Sequence, residues 1–517
     1  MIARRAVVAR RHRLGMTLPA ALLGIVAFVL VLVVTDPPGP GLDPDALQYL
    51  GAAASLAASG EYTVPFGAWA RADSTEPLTH FPPGYPTALA LPVRLAMEPA
   101  QAARLVDATA AFITCATVVL LVSAAASPVA GVLLAVALLS MTAMYTTHAS
   151  VLSEPMYLAC LSLTLAAMAW APDRPLRAGF PAAVALMTRY AGLSIVGALG
   201  LWMLSQPGRW ADRLRRAALA IAPALVLQIA WVIRTRAVAH VSDIRKIALY
   251  GNWGRTLAQG GATLTAWLIP DAAAETDPLA HRPVLAMAAA LALGGLVALG
   301  VWHARRAEGA TDRGASLAPR LIAAAGLLLA SYAALLGASR LVADPGIPFD
   351  ERIFAPALLL LMIITATALT SWWRGTRLRV ARIAIGTALV AWWGAAAAAT
   401  RVSAHFAMTW GSDFAGQQWQ DSDVLAWGRR QGANAPLYSN WPAAVFFYLH
   451  RPSHELPKLT ERVSLKAFGD TVRARGGHVL LFNAKSQDYV GNALLIKTSG
   501  LDVIEELTDG WILGVDH

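Results

Sequence analysis

The sequence predicts an all-α polytopic membrane protein of about eleven transmembrane helices, followed by a small C-terminal α/β domain. Composition gives the first evidence, because 56% of the 517 residues are hydrophobic and only 14% are charged, whereas soluble domains carry about 25% charged residues. The second is a series of apolar runs of about 20 residues, the length with which a helix crosses a bilayer core. The third is a rise in polarity after residue 400, where the apolar runs shorten.

The apolar runs fill most of residues 1–400, which we predict to be one transmembrane domain. They lie at about 15–35, 102–125, 128–147, 153–171, 191–205, 214–235, 282–303, 319–343, 353–373 and 382–400. A shorter segment at about 177–189 must also cross if the orientation of the chain is to be consistent. Two long external loops are predicted, at 36–101 and 236–281.

The placement of arginine predicts the orientation, because short cytoplasmic loops are enriched in Lys and Arg. The basic runs that should share the cytoplasmic side are MIARRAVVARRHR at the N-terminus, Arg174 and Arg177, WADRLRR, HARRAEGATDR and RGTRLRVAR. They do so only if residues 84–97 form a helix at the outer interface without crossing. An odd number of crossings then places the C-terminal segment outside the cytoplasm. Abundant Ala and Arg with little Lys is typical of a GC-rich bacterial genome, so we expect the inner (plasma) membrane.

The net charge of +10 does not indicate a nucleic-acid partner. The cytoplasmic arginines account for much of this charge, and the sequence has no groove pattern of basic and aromatic residues. Cys115 and Cys160 lie inside predicted spans, where a secreted disulfide framework would not be built. We therefore expect a functional site among the polar residues outside the predicted spans.

Residues 401–517 predict a small extracytoplasmic domain of alternating strands and helices. The predicted strands are PLYSN, HVLLFN, ALLIKT and GWILGV, and the predicted helices are DSDVLAWGRRQ, WPAAVFFYLH and ERVSLKAFGDTVRARG. Asp421 or Ser422 is expected to cap the first of these helices, and Asn440 the second. Neither a nucleotide-binding loop nor a catalytic triad occurs in this sequence segment.

The first external loop concentrates polar side chains directly after the first span. Asp45 and Tyr49 are four residues apart and share a helix face. Asp43 or Asp45 would alternatively serve as the N-cap of that helix. Farther along, the loop carries Glu76 and His80, followed by Tyr85 in the rigid turn FPPGYP. Acids, a histidine and a rigid turn at a membrane face predict a site that lies half in lipid and half in water.

A second outward turn, THASVLSEP, brings His148, Ser153 and Glu154 to the mouth of two predicted helices. A carboxylate at membrane depth is costly and tends to be functional. The alternative for Glu154 is structural, since an acid in the first turn of a helix interacts favourably with the helix dipole.

Three arginines at the ends of spans are candidate anion sites: Arg189 in MTRYAGL, Arg234 in AWVIRTR and Arg352 in DPGIPFDERIF. A guanidinium pairs with phosphate through a planar fork of donors. The alternative for each arginine is snorkelling to the membrane interface. The loop at 236–281 also carries basic and aromatic residues, and a loop of this length is often a binding element.

A set of short motifs follows a fixed order over residues 40–360. The motifs are D-x-x-x-Y-L-x-x-A from Asp45, L-A-x-S-G-E-Y from Leu56, F-P-P-G-Y-P from Phe81, L-S-E-P from Leu152, T-R-Y-A-G-L from Thr188, W-x-x-R from Trp231 and E-R-I-F-A-P from Glu351. Over this stretch the chain resembles the GT-C superfamily of integral-membrane glycosyltransferases. It is most similar to the branch of protein mannosyltransferases and aminoarabinose transferases, and the C-terminal part is less covered by the resemblance.

The resemblance implies an enzyme that takes a sugar from a polyprenyl-phosphate donor and passes it to a glycan, lipid or protein acceptor on the extracytoplasmic face. Asp45 is then the candidate general base for an inverting displacement, which requires a carboxylate within hydrogen-bond reach of the acceptor hydroxyl. Some branches carry two adjacent acids at this place, so Asp43 and Glu76 stay open as alternatives.

The same resemblance assigns roles to the residues at the span ends. Arg189, Arg234 and Arg352 are the candidates that stabilise the negative charge of the leaving lipid phosphate. Glu154 is a second catalytic candidate, which holds the acceptor, or a divalent cation together with His80 or His148. These histidines and Glu154 lack a diagnostic ligand spacing, so the sequence assigns no metal.

Two other classes of protein are compatible with a polytopic chain. A secondary transporter more often shows paired half-repeats and helices broken at the midplane, whereas the ionisable candidates here cluster at the outer face. A non-catalytic membrane scaffold of the same fold would keep the motifs after losing activity, and dependence of sugar transfer on Asp45 separates it from an enzyme. The C-terminal domain has two interpretations, a cap over the membrane site or a module that binds the acceptor.

Overall fold

The computed structural model describes residues 2–238, 248–251, 253–270, 287, 291, 293–295, 297–302, 317–343, 346–431, 435–459, 464–484 and 489–515. The chain divides into two compact units. The first comprises Met1–Thr35, Phe81–Tyr85 and Arg104–Phe406, and the second comprises Asp36–His80, Pro86–Ala103 and Ala407–His517. The boundary between domains at residues 400 and 401 stays a prediction.

Helices account for most of the described chain. In the first half they are α1 Ile2–Val34, α2 Pro44–Ser59, α3 Gly84–Arg94, α4 Pro99–Ala125, α5 Pro128–Leu139, α6 Thr142–His148, α7 Glu154–Trp170, α8 Pro175–Thr188, α9 Gly192–Ser205 and α10 Trp210–Val238. Farther along they are α11 Gly254–Leu268, α12 Leu317–Val342, α13 Glu351–Gly375, α14 Arg379–Trp410, α15 Gln417–Gln420, α16 Asp423–Arg430, α17 Pro442–Leu449, α18 Leu465–Ala474 and α19 Asn492–Thr498.

Six of the described helices are long and apolar enough to cross a membrane, namely α4, α10, α12, α13, α14 and the part of α1 from Met16. The pair α5 and α6, bent by 66°, makes a seventh span if it is counted as one. The prediction of a mostly helical, multi-pass membrane protein is thereby confirmed. The count of eleven crossings stays a prediction, and much of the predicted span at 282–303 and of the loop at 236–281 lies outside the described residues.

Small residues let the helices of the first unit approach closely. Between α8 and α10, a Cβ atom at Gly179 would stand 2.4 Å from the carbonyl oxygen of Ala220. Ala182 and Ala224 are fully buried in the same core. Without a hydrophobic driving force between helices in lipid, such close backbone packing is a main source of association.

The second unit contains the predicted α/β structure. Its strands are β1 Thr63–Val64, β2 Phe66–Gly67, β3 Glu76–Pro77, β4 Leu437–Ser439, β5 Ser453–Glu455, β6 His478–Phe482, β7 Asp502–Leu507 and β8 Gly510–Gly514. Six of them form one sheet in the order β2-β5-β4-β6-β8-β7, and β1 pairs with β3 in a small antiparallel ladder. Strands β2, β5, β4 and β6 are parallel, and β8 and β7 continue the sheet in antiparallel fashion. The first loop therefore contributes one strand to a sheet otherwise built from the C-terminal segment.

The predicted strands PLYSN, HVLLFN and GWILGV are confirmed as β4, β6 and β8. The prediction for ALLIKT was wrong, because this segment lies in α19. Its buried positions, Leu495 and Ser499, are four residues apart, and Leu494 is exposed, which is the spacing of a helix face. Strands β5 and β7 were not predicted. The charged residues of β7 are those expected at the edge of a sheet.

The helix caps of this unit were predicted in part. Ser422 is the N-cap of α16, where its hydroxyl oxygen accepts the amide hydrogen of Leu425. The prediction that Asn440 caps α17 was wrong. The Asn440 side chain instead donates to the carbonyl oxygen of Phe482 and accepts from the Phe482 amide, at 2.8 and 2.9 Å. Asn440 thus joins the end of β4 to β6, because its side-chain amide makes hydrogen bonds with both the N–H and the carbonyl group of Phe482.

Candidate active site

One buried carboxylate of the first unit lies between two arginines from distant parts of the chain. The Oε2 atom of Glu154 is 2.5 Å from Nη1 of Arg189, and its Oε1 atom is 3.1 Å from Nε of Arg352. The hydroxyl of Ser153 lies 3.0 Å from the same Nη1 atom of Arg189. We call Glu154, Arg189 and Arg352 the carboxylate–arginine cluster. The structure thus brings together three of the residues singled out in the sequence.

Helix ends place each member of the cluster. Glu154 is the first residue of α7 and is followed by proline, which is favoured in the first helical turn. Arg189 ends α8: its amide donates to Ala185, and its extended backbone turns the chain towards α9. Arg352 is in the first turn of α13, which begins where the carboxylate of Asp350 accepts the amide hydrogen of Ile353 at 2.9 Å.

Burial differs within the carboxylate–arginine cluster. The side chain of Glu154 is 2% exposed, whereas those of Arg189 and Arg352 are 21% and 27% exposed. An isolated carboxylate in a buried place loses its hydration at a large cost, and two guanidinium partners offset that cost. The carboxylate is thus enclosed, while part of each cation remains accessible to a further anion.

Two tyrosines support the backbone around these arginines. The hydroxyl of Tyr332 donates to the carbonyl oxygen of Ile353 at 2.5 Å, next to Arg352. Tyr157, on α7, approaches the carbonyl oxygen of Ala191 at 3.4 Å, beyond the end of α8. The first hydroxyl thus joins the start of α13 to α12, and the second joins the turn after α8 to α7.

A second buried carboxylate, Asp107 on α4, escaped the sequence interpretation. The hydroxyl of Tyr85 lies 3.0 Å from each of its two oxygens. The FPPGYP turn also packs on the end of α8, since a Cβ atom at Gly84 would stand 2.6 Å from the carbonyl oxygen of Met187. The signal that could have found Asp107 was its position as an acid inside the apolar run 102–125.

Comparison with solved structures identifies the fold. The model superposes on ArnT from Cupriavidus metallidurans bound to undecaprenyl phosphate with a TM-score of 0.58 and 15% sequence identity, over 95% of this chain and 97% of that one. It also superposes on the mycobacterial arabinofuranosyltransferase AftD with a TM-score of 0.55 and 14% identity, over 96% of this chain but only 41% of AftD. Both are GT-C glycosyltransferases. The chain has the GT-C fold. No protein-family model and no curated protein matches the sequence.

Except for Tyr85, the first-loop candidates lie in the second unit. Asp43 is the N-cap of α2, and its carboxylate accepts the amide hydrogen of Ala46 at 2.7 Å. This confirms the structural alternative for Asp43. Asp45 lies in the first turn of α2 and is half-buried, and Tyr49 is buried one turn later. The role of Asp45 as a base stays a prediction.

The remaining first-loop candidates have different surroundings. Glu76, in β3, accepts the amide hydrogen of Ala68 at 2.8 Å and forms an ion pair with Arg71 at 3.5 Å. These contacts close the loop between β2 and β3. His80 is exposed at the end of the same loop segment.

Two other candidates lie in the helices of the first unit. His148 is buried at the end of α6, with Nδ1 2.8 Å from the carbonyl oxygen of Met144. Arg234 lies with its guanidinium 4.9 Å from the ring centre of Trp231, one turn earlier on α10. Stacking on an aromatic ring of the same helix is compatible with the interfacial interpretation of Arg234.

The carboxylates and histidines do not assemble a metal centre in the part of the chain that the structure describes. Within those ranges, no three His, Cys, Asp or Glu side chains are grouped closely enough to hold a metal ion. No chemical step is assigned to a metal.

Proposed function

We propose that this protein is a membrane glycosyltransferase that transfers a sugar from a polyprenyl-phosphate donor to an acceptor hydroxyl by inverting displacement. The observation that carries the proposal is the carboxylate–arginine cluster in a chain with the GT-C fold. ArnT, which shares this fold, is bound to undecaprenyl phosphate in its crystal structure. A polyprenyl-phosphate sugar is therefore the class of donor that we assign to this chain.

Arg189 and Arg352 would bind the phosphate of the donor. The bond from the anomeric carbon to the phosphate oxygen breaks during transfer, and the electron pair leaves with the lipid phosphate. Guanidinium groups stabilise that developing charge through charge-assisted hydrogen bonds. The partial exposure of both side chains gives the phosphate access to them. Arg234 is a third candidate, with interfacial anchoring as its alternative.

Asp45 is the proposed base. The acceptor hydroxyl forms the new bond to the anomeric carbon, and its proton passes to the carboxylate. Asp43 and Glu76 are weaker choices, because the first caps α2 and the second closes a loop. Glu154 is also a weaker choice, since each of its two carboxylate oxygens already contacts a guanidinium group.

The arginine-rich loops support a reaction on the extracytoplasmic face. The class of acceptor rests on the resemblance to the GT-C superfamily. The acceptor is a hydroxyl of a glycan, a lipid or a protein.

A transfer assay tests the proposal. Full-length protein in lipid nanodiscs would receive a panel of radiolabelled polyprenyl-phosphate sugars together with a membrane extract as the source of acceptor. We expect transfer from one donor, and its loss in Asp45→Asn. Glu61→Gln, which changes an exposed acid of the same loop, is the matched control and should keep transfer. Consumption of none of the donors by folded wild-type protein would contradict the proposal.

A further inference from the structure

Glu154 uses both of its carboxylate oxygens to hold the two arginines of the cluster, one oxygen for each guanidinium. This differs from an ordinary ion pair, because a single anion orients two cations that come from α13 and from the end of α8. The carboxylate is almost fully buried, and the cations are partly exposed. A phosphate that reaches the arginines therefore meets cations already paired with a fixed negative charge.

The charge of the arriving phosphate decides how strongly this fixed anion opposes it. A donor of the polyprenyl-phosphate sugar class is a phosphodiester and carries one negative charge. The lipid product is a phosphate monoester, which approaches two negative charges above its second pKa of about 6. Repulsion is proportional to the product of the charges, so a nearby carboxylate opposes the product about twice as strongly, in energy, as the donor.

We propose that Glu154 is a resident counter-anion, which holds Arg189 and Arg352 in place before the donor binds and lowers the preference that the two cations would otherwise have for a lipid phosphate monoester over a lipid phosphodiester. The inference rests on the proposed function, since it takes the two arginines as the phosphate site. It makes Glu154 a positioning and specificity-determining residue. Its consequence is easier release of the polyprenyl phosphate that transfer leaves behind.

Other acids of the first unit do not alter this comparison. The carboxylate of Asp350 caps α13, and that of Asp107 accepts from Tyr85. Glu351 follows Asp350 in the first turn of α13. All three keep their places when Glu154 alone is changed, so their influence cancels between the wild type and a Glu154 variant.

Binding of two lipids to the full-length protein in zwitterionic nanodiscs tests the proposal. The probes are undecaprenyl phosphate, a monoester, and undecaprenyl methyl phosphate, a diester, at one pH above the second phosphate pKa. Glu154→Gln keeps the side-chain shape and removes its charge. We expect this variant to bind the monoester about tenfold more tightly and the diester about threefold more tightly. The repulsion energy that is removed is half as large for the diester, so its affinity changes by the square root of the factor for the monoester.

Ser153→Ala is the matched control, because it removes a contact to Arg189 without changing the charge. It should change the binding of both lipids by the same factor. An equal change for both lipids in Glu154→Gln, or weaker binding of the monoester, would overturn the counter-anion role. The counter-anion role can fail while the proposed function holds, and this is the case if the wild type binds both lipids and Arg352→Gln abolishes that binding. Binding that does not depend on either arginine would overturn both proposals.

A structure of the wild-type protein with undecaprenyl phosphate bound tests the same role without any variant. We expect the phosphate to contact both arginines, and at least one of the Glu154 ion pairs to lengthen beyond about 4 Å, the usual limit of an ion pair. Both ion pairs kept at their present distances, with the phosphate bound elsewhere, would overturn the proposal.

Discussion

Tyr85 and Asp107 form a buried contact that joins the FPPGYP turn to α4. The hydroxyl group lies 3.0 Å from both carboxylate oxygens, and both side chains are almost completely buried. The turn also packs against the backbone at Met187, two residues before Arg189. The contact thus fixes a turn that lies beside one arm of the carboxylate–arginine cluster.

Tyr85→Phe tests the strength of this contact. We expect a loss of stability of about 1–3 kcal/mol, because removing the hydroxyl leaves a buried carboxylate without its hydrogen-bond donor. Thermal unfolding of the protein in detergent measures the change. Tyr62→Phe is the control, since its hydroxyl contacts Thr87 at an exposed place, and it should change stability by less than about 0.5 kcal/mol. Equal effects of the two variants would contradict the structural role of Tyr85.

Arg475 connects the C-terminal segment to the first loop within the second unit. Its guanidinium donates to the carbonyl oxygens of Trp69 and Ala70, at 3.3 and 3.2 Å, and to that of Arg71. Arg475→Ala should therefore raise the rate of amide hydrogen exchange over residues 66–76, because the loop loses its hydrogen bonds to the guanidinium. Lys466→Ala, an exposed change in α18, the helix that ends just before Arg475, should not. Unchanged exchange in Arg475→Ala would show that the loop is held by other contacts.

His454 predicts a pH dependence of the second unit. Burial lowers the pKa of His454 from its ordinary value of 6.5, against the opposing effect of a hydrogen bond to the carbonyl oxygen of Ala68. The unfolded chain therefore takes up a proton more readily than the folded one. The stability that neutral His454 contributes is complete above pH 6.5 and falls as the pH drops below that value.

Trp69 fluorescence during urea unfolding, compared at neutral pH and near pH 5.5, measures this effect. The other tryptophans of the chain also fluoresce, so each of them is replaced by Phe in the reporter chain. His454→Gln should remove the part of the pH dependence that arises below about pH 6.5. The same loss of stability on acidification with and without His454 would contradict the assignment.

Gly179 tests the packing of α8 on α10. Gly179→Ala places a methyl group 2.4 Å from the carbonyl oxygen of Ala220, so we expect a loss of about 1–3 kcal/mol from overpacking. Gly326→Ala, in α12, is the matched control, because a Cβ atom there meets no described atom within 4 Å. It should leave the midpoint of thermal unfolding unchanged or raise it slightly. A stable Gly179→Ala would show that the two helices can separate without cost.

The sequence was sufficient for the fold class because long apolar runs and short alternating strands carry their own periodicity. Predictions from the sequence were wrong or missing where tertiary packing determines the secondary structure. ALLIKT is apolar enough for a strand, and only the burial of Leu495 and Ser499 shows its helical face. Strand β2 is two residues long and pairs with β5, which is far away in the sequence. No local sequence pattern therefore predicts this strand.

The candidate site shows a similar limit. Motif positions in the sequence pointed to Glu154, Arg189 and Arg352 one at a time, but nothing in the sequence links their side chains. The sequence interpretation placed Glu154 with His80 or His148, whereas the structure pairs it with both arginines. Asp107 lies inside an apolar run and not in an outer loop, and a lone acid in such a run is itself a signal of function.

Release of polyprenyl phosphate from a polyprenyl-phosphate sugar tests the central claim most directly. The measurement compares the wild type with the double variant Arg189→Gln and Arg352→Gln in nanodiscs that receive a membrane extract as the source of acceptor, with binding of the donor measured in parallel. We expect release by the wild type and a loss of at least about 100-fold in the double variant, because the charge of the leaving group loses its stabilising donors. Release by the folded double variant at the wild-type rate would contradict the account.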